Sequence, residues 1–175
     1  MVRWVMILPA MGATAIGGFL CALSNDRLAG LRKRMSNGIV GAEGLQLIRR
    51  EKHWFRVHML GMLLLSVSLL LLAISAVTAL FHYGPSLKAY VFSGLGVCEI
   101  LQLILIARFI LRKKMILRFV WGGMDSVKHR YDVSERDGSY IRKCDPYSPG
   151  ELLVVFALGV CCAVHVALVL WIGPG

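Results

Sequence analysis

The chain has 175 residues, of which 57% are hydrophobic, and carries a formal net charge of +10. Soluble domains contain about 45–50% apolar residues, and here the excess forms four separate blocks, so an ordinary soluble domain is excluded and a multi-pass membrane protein is predicted. The basic residues stand directly beside the apolar blocks, which fits anionic lipid headgroups and argues against a nucleic-acid partner. The five cysteines show no metal-ligand spacing, so neither a disulfide framework nor a metal site is expected.

Residues 4–23 are the first predicted transmembrane helix. One face of this helix carries small residues at helical spacing, and such faces allow two helix backbones to approach closely within lipid. The predicted helix-packing residues are Ala10, Ala13, Gly17 and Cys21. Because the run begins almost at Met1 and Arg3 gives it a basic start, a signal anchor or a cleaved signal peptide stays open as an alternative.

Residues 24–56 are polar and strongly basic and are predicted to form a loop on one side of the membrane. Apolar residues at helical spacing predict a short amphipathic helix capped by Ser24 or Asn25, and a turn follows at residues 36–38. From about Ala42 the pattern is helical again and runs into the second span without a breaker. A surface helix that binds membrane or partner and a solvated connector are both compatible with this composition.

Residues 57–81 are the second predicted span, and residues 89–111 are the third. Each is long enough to cross a hydrocarbon core of about 30 Å, which requires about 20 helical residues. Between them, Gly84 can end one helix and Pro85 prevents its continuation. The short connection predicts that the second and third spans are antiparallel neighbours.

An acidic residue, Glu99, lies near the middle of the third predicted span. At about 1.5 Å per residue from Ala89 it would lie roughly 15 Å deep, where an isolated charge is costly. Gln102 shares its side of the helix, and the two form a polar face that should turn towards protein. One interpretation of Glu99 is a carrier of protons or cations. The other, favoured here, is a protonated carboxylic acid bonded to a neighbouring helix.

The helical pattern continues past the third span to about Trp121, where two glycines should stop it. The rest of the second basic loop, residues 112–150, is polar and of mixed charge. A helix-start signature around Ser148 opens the fourth predicted span at residues 152–172. Its histidine, His165, should lie within about 5 Å of the depth of Glu99. The sequence therefore predicts an intramembrane polar pair, which could serve either a proton relay or helix packing.

The distribution of basic residues predicts the orientation of the spans. The loops at 24–56 and 112–150 contain eight and nine Lys and Arg residues, whereas the hairpin at 82–88 and the N-terminal segment contain one each. Loops on the inner side of a membrane are enriched in such residues, so both basic loops should face inwards and both termini outwards. The predicted fold is an all-α integral membrane protein of one domain over residues 1–175. It is an antiparallel bundle of four transmembrane helices, some of which extend beyond the membrane on the inner side.

Basic residues that border the spans on the inner side are predicted to bind anionic lipid, of which cardiolipin is one example. Topology alone would also account for these charges. The candidate lipid-binding residues are Arg49, Arg50, Lys52, Arg56, Arg112, Lys113 and Lys114. No other cofactor is expected.

The sequence lacks the HExxH, GxSxG, GxGxxG and P-loop patterns, so no catalytic residue is proposed and an enzyme is not expected. The leading hypothesis is a non-catalytic accessory subunit of a larger membrane complex, with other membrane subunits as partners. The expected kind is a respiratory-chain complex or ATP synthase of the mitochondrial inner membrane, with both termini in the intermembrane space. The alternative is a small proton- or ion-coupled transporter or channel that uses Glu99 and His165. A haem-binding oxidoreductase subunit is third, although a His82–His165 pair would differ in depth by about 10 Å.

Overall fold

In a computed structural model, nearly all of the described residues are helical. The described residues are 2–35, 39–83, 87–112, 114–123, 127, 130–133, 139–142, 157, 159–160, 163–164 and 167. The helices are α1, Val2–Met35; α2, Gly41–Tyr83; α3, Leu87–Arg112; and α4, Lys114–Trp121. Within this part of the chain, two helices are long and apolar enough to cross a membrane, over Val5–Met35 and Ala42–Thr78.

The outer faces of α1 and α2 carry large, exposed apolar side chains. Phe19 on α1 is 65% exposed, and Leu63 on α2 is 59% exposed. A helix in the core of a soluble protein would bury such side chains, and soluble monomers rarely expose wide apolar patches. Lipid is the solvent that suits these faces, so the two helices support a membrane protein.

α1 continues without a break through residues 24–35, where the sequence predicts a loop with a separate amphipathic helix. That prediction is wrong. The buried positions of α1 continue from Cys21 through Ser24 to Leu28 at helical spacing, so the side that packs on α2 does not change at the predicted boundary. Ser24 is not a cap, because its hydroxyl donates to the carbonyl of Cys21 at 3.0 Å within the same helix.

α2 runs from Gly41 to Tyr83 without interruption, which confirms the prediction of a continuous helix from about Ala42. Residues 41–56 add roughly 24 Å to the predicted second span, and residues 24–35 add about 18 Å to the first. Both helices therefore extend well past their apolar segments. We call these extensions, together with α4 and the strands described below, the polar end of the molecule.

α1 and α2 pack antiparallel. Ser68 on α2 donates to the carbonyl of Ala10 at 2.8 Å, whereas His58, three turns earlier on α2, lies 3.0 Å from Ser24 on α1. Small and aliphatic side chains fill the space between the apolar parts of α1, α2 and α3. The buried members of this first core are Ala10, Cys21, Leu65, Leu69, Leu72 and Ile106.

α3 returns antiparallel to α2. A Cβ atom at Gly96 would lie 3.1 Å from the Cβ of Ala76, and Ile106, farther along α3, packs in the core with Leu65. α4 ends at Trp121, as predicted, and the amide of Gly122 donates to the carbonyl of Arg118 at 2.8 Å.

A small antiparallel sheet at the polar end was not predicted. Its strands are β1, Ile39–Val40; β2, Tyr131–Val133; and β3, Ser139–Arg142, in the order β1–β3–β2. Tyr140 pairs with Ile39 on one side and with Val133 on the other, so β3 is the central strand. Nearly all of the described residues are helical, as predicted, and this sheet is the exception. The physical reason is that β-branched and aromatic residues of two segments distant in sequence meet and form a ladder.

The polar end has an apolar core of its own. Residues of α1, α2, α4, β2 and the segment before β2 form this second core, whose buried members are Leu28, Ile48, Phe55, Phe119, Val120, Val127 and Tyr131. Trp54 and Tyr140 pack against it. The two basic regions that the sequence predicts as loops thus fold onto each other.

Part of the predicted fourth span is described. Residues 157, 159–160, 163–164 and 167 are all helical and exposed. The remaining residues of 152–172 lie outside the described residues, as do 84–86 of the predicted hairpin and 113 between α3 and α4. The third and fourth membrane crossings stay predictions.

Candidate functional site

Glu99 lies on the face of α3 that packs on α2, and its side chain is fully buried. Gly96, one turn away on the same face, is in close contact with Ala76 of α2. Because α2 and α3 are antiparallel, Glu99 comes about level with Ala73, which is also buried. The acid thus lies within the interface between α2 and α3, and ionisable residues inside apolar helices usually face protein in this way.

Of the two predicted partners of Glu99, the structure describes Gln102 but not His165. Gln102 is half-buried on α3, one turn from Glu99. His165 lies outside the described residues, so its contact with Glu99 stays a prediction. Residues 163, 164 and 167 around it are helical.

The predicted helix-packing face of α1 lies against α2. Ala10, Gly17 and Cys21 are buried there, and Ala13 is half-buried. A Cβ atom on Gly17 would lie 2.9 Å from the carbonyl oxygen of Gly61, closer than Cβ atoms approach in proteins. The two backbones therefore touch at a point that only glycine permits.

His58, at the inner end of the second predicted span, takes part in the same helix contact. Its Nδ1 lies 3.0 Å from the Ser24 hydroxyl, and the Cys21 thiol lies 3.9 Å from its carbonyl oxygen. Both contacts, one through the imidazole and one through the backbone carbonyl, join α2 to α1.

A buried ion pair joins α2 to the segment that enters β2. The Arg130 guanidinium donates to both carboxylate oxygens of Glu51, at 2.7 Å and 3.2 Å, and the Tyr131 hydroxyl donates to the same carboxylate. The side chains of Arg130 and Glu51 are only 5% and 1% exposed. Bidentate geometry with an added hydrogen bond is the arrangement in which a buried ion pair can balance the cost of its desolvation.

Aromatic rings surround the Arg130 guanidinium. Its central carbon lies 4.8 Å from the ring centroid of Phe55 and 5.5 Å from that of Phe119. Burial alone would lower the pKa of Arg130, but the Glu51 carboxylate and the Tyr131 hydroxyl outweigh it and raise the pKa above its usual value. Arg130 is therefore a permanent charge that holds β2 against α2.

Two basic residues of α2 cap the C terminus of α4. Lys52 donates to the carbonyl of Gly122 and, at 3.3 Å, to that of Gly123. Arg56 donates from Nε to the carbonyl of Val120 at 3.1 Å. The last carbonyls of a helix lack partners within it and carry partial negative charge, so cations stabilise them.

Lys52 and Arg56 are also predicted lipid ligands, and their capping contacts leave that prediction untested. The other predicted ligands are less well defined by the structure. Arg49 and Arg50 are exposed on α2. The side chains of Arg112 and Lys114, and the whole of Lys113, lie outside the described residues.

Comparisons with known proteins do not assign a function. No protein-family model matches the chain, and no significant match is found among curated proteins or solved structures. Within the part of the chain that the structure describes, no three His, Cys, Asp or Glu side chains are grouped closely enough to hold a metal ion.

The sequence analysis missed the Glu51–Arg130–Tyr131 cluster. A signal was present, because Glu51 stands at helical spacing from Ile48 and Phe55 and so interrupts an apolar face. An acid in that position needs a buried cation as its partner. The pattern does not say which of the many arginines provides it.

Proposed function

We propose that this protein is a non-catalytic accessory subunit of a larger multi-subunit membrane complex. The observation that carries the proposal is the polar end, where two long helices, α4 and a sheet enclose a core of their own. Its described polar contacts connect one element to another: Arg130 holds the segment entering β2, and Lys52 and Arg56 hold α4. A firmly packed end of this kind suits a role in assembly, since it presents a fixed surface to neighbouring subunits.

The charge of the polar end supports the same proposal. The chain has a net charge of +10, and Arg34 and Arg50 are exposed on the extensions of α1 and α2. A basic surface is complementary to an acidic surface on a partner and favours its approach and orientation. We therefore expect a neighbouring subunit with an acidic face next to this end.

In this proposal the protein has four transmembrane helices in the mitochondrial inner membrane, as part of a respiratory-chain complex or ATP synthase. The polar end lies in the matrix, and both termini lie in the intermembrane space. The support is the concentration of basic residues in the two regions that build the polar end.

The test is extraction of native membranes with a mild detergent, followed by a native gel and mass spectrometry of the band that contains this chain. We expect the chain to co-migrate with a complex many times its own mass of 19.4 kDa. A monomer or small homo-oligomer as the main species would refute the accessory role.

A matched pair of variants tests whether the basic surface contributes. Arg50→Glu reverses the charge of an exposed side chain, whereas Arg50→Gln only removes it. We expect a larger fraction of unassembled chain with the glutamate variant than with the glutamine variant, since like charges then oppose each other across the interface. Equal incorporation of both variants would show that a different surface binds the complex.

The second candidate is a small proton- or ion-coupled transporter or channel that uses Glu99 and His165. Its support is the complete burial of Glu99 in an apolar helix, because ionisable residues at such positions often belong to ion pathways.

Proton flux across liposomes that contain the purified chain distinguishes the two candidates. A transporter loses flux on Glu99→Gln but retains it on Glu43→Gln, which removes the charge of an exposed acid on α2. An accessory subunit shows no flux above protein-free liposomes, and Glu99→Gln still enters the complex.

A further inference from the structure

One face of α2 changes from basic to apolar along its length. Consecutive exposed positions three or four residues apart fall on one side of a helix. On the extension of α2 these positions are basic or imidazole, and farther along they are all aliphatic. In order they are Arg49, His53 and Arg56, followed by Leu60, Leu63, Val67, Leu70, Ile74 and Val77, and the aliphatic members are 39–59% exposed.

This face has the profile of an amphiphile. Arg56 precedes Leu60 by one turn, which is about 6 Å along the helix axis. If the aliphatic residues contact acyl chains, Arg56 then lies at the height of the lipid phosphates, where arginine is the preferred partner. An acidic protein segment could pair with the basic residues but would not cover the aliphatic ones. A face with both kinds of residue therefore favours a lipid.

The guanidinium of Arg56 is held in position. Its Nε donates to the carbonyl of Val120 at 3.1 Å, and its central carbon lies 5.8 Å from the ring centroid of Trp121. Among the described residues, no acceptor engages its two terminal nitrogens. The side chain is thus fixed at one end by α4 and can donate two parallel hydrogen bonds from the other.

Trp121 lies at the same height along α2 as Arg56. It is 67% exposed at the end of α4, beside Arg56. Tryptophan prefers the membrane interface, where its ring contacts the apolar boundary and its indole N–H contacts the headgroups. An exposed tryptophan beside a fixed arginine is therefore suited to flank a phospholipid headgroup.

We propose that the outer face of α2 binds an anionic phospholipid, with its phosphate on Arg56, its headgroup beside Trp121 and its acyl chains along Leu60 and Leu63. This site requires no partner subunit and does not depend on the accessory role. It distinguishes Arg56 from Lys52, because the single ammonium group of Lys52 donates to the carbonyls at the end of α4, whereas Arg56 donates there from Nε alone.

Native mass spectrometry of the full chain in detergent micelles tests the proposal. The probe is an equimolar mixture of phosphatidylglycerol and phosphatidylcholine with matched acyl chains. We expect the unmodified chain to retain more phosphatidylglycerol. Arg56→Gln should lower the ratio of retained phosphatidylglycerol to phosphatidylcholine roughly fivefold, the factor that one arginine contributes beside anionic lipid.

Arg34→Gln is the matched control. It removes the same charge from an exposed position in the last turn of α1, roughly 15 Å farther from the apolar segments, and should leave the ratio unchanged. Trp121→Ala provides a second test that keeps the bond between Arg56 and Val120, and it should also lower the ratio. Equal retention of both lipids by the unmodified chain, or equal effects of Arg34→Gln and Arg56→Gln, would overturn the proposal.

Discussion

At the residue scale, the contact between Gly17 and Gly61 sets how closely α1 and α2 approach. Gly17→Ala would bring a Cβ atom to 2.9 Å from the Gly61 carbonyl oxygen and 3.1 Å from the backbone nitrogen of Leu65. Backbone atoms cannot move aside as a side chain can, so the helices must separate. We expect the free energy of unfolding in detergent micelles to fall by about 1–3 kcal/mol, the usual cost of overpacking.

Gly12→Ala is the control for this experiment. Gly12 is exposed on the same helix, and a Cβ atom there would have no neighbour within 4 Å. Alanine favours helix over glycine, so this variant should unfold at the same or a slightly higher denaturant concentration. Equal losses for Gly12→Ala and Gly17→Ala would contradict the close contact.

The Glu51–Arg130 pair gives a second prediction at this scale. Arg130→Met leaves a buried carboxylate without its cation, and we expect a loss of about 3–5 kcal/mol in the free energy of unfolding. The double variant Glu51→Leu/Arg130→Met removes both charges and should recover most of that loss. Chemical denaturation of the three proteins measures both effects, and a double variant no more stable than Arg130→Met would refute the charge argument.

At the scale of elements, the position of α4 depends on its capping by α2. Lys52→Met removes the cation from the carbonyls of Gly122 and Gly123 but keeps the apolar part of the side chain. We expect faster amide hydrogen exchange at residues 118–122, because the last turn of the helix loses its partners. Mass spectrometry of peptides from this region provides the measurement.

The comparison for this variant is Arg50→Met, which removes an exposed charge from the same helix two residues away. Exchange at 118–122 should then match that of the unmodified chain. A uniform increase along the whole chain in Lys52→Met would indicate general loosening and would contradict a local cap.

The helices could be predicted from sequence to the extent that local signals determine them. The start of α2 and the end of α4 follow from periodicity and from Gly122-Gly123. The extent of α1 was missed because composition changes at Ser24 although the buried side does not: Leu28 and Leu31 continue it. A polar sequence was interpreted as a loop, but it forms a helix that packs by one side only.

The contacts between distant segments could not be predicted. Glu51 and Arg130 are 79 residues apart, and the sheet joins residues 39–40 to 139–142. Short strands and single ion pairs produce little periodicity in the sequence. Several arginines could each be the partner of Glu51, and the sequence does not distinguish between them. The helix face that contains Glu99 and Gln102 was recognisable because charge in an apolar segment is rare. Whether His165 meets Glu99 stays a prediction.

At the scale of the whole molecule, two apolar cores share the same pair of long helices. α1 and α2 each continue from the first core, around Leu65 and Cys21, into the second, around Phe55 and Leu28. No described break separates the two parts of either helix, so a displacement of the polar end must also move the apolar segments. In the proposed accessory role, such a chain would fix the distance between the membrane and a subunit bound to the polar end.

The last prediction concerns the side of the membrane on which the polar end lies. Gly30 is exposed on the extension of α1, and a side chain there would meet nothing within 4 Å. In a chain whose native cysteines are replaced by alanine, we expect Gly30→Cys to react with a membrane-impermeant maleimide only from the inner side of the native membrane. Ser86→Cys, in the predicted outer hairpin, should react only from the outer side, and Gly12→Cys, on the lipid-facing side of α1, from neither. Labelling of Gly30→Cys and Ser86→Cys from the same side would refute the orientation, because an odd number of crossings separates these two positions in the proposed topology.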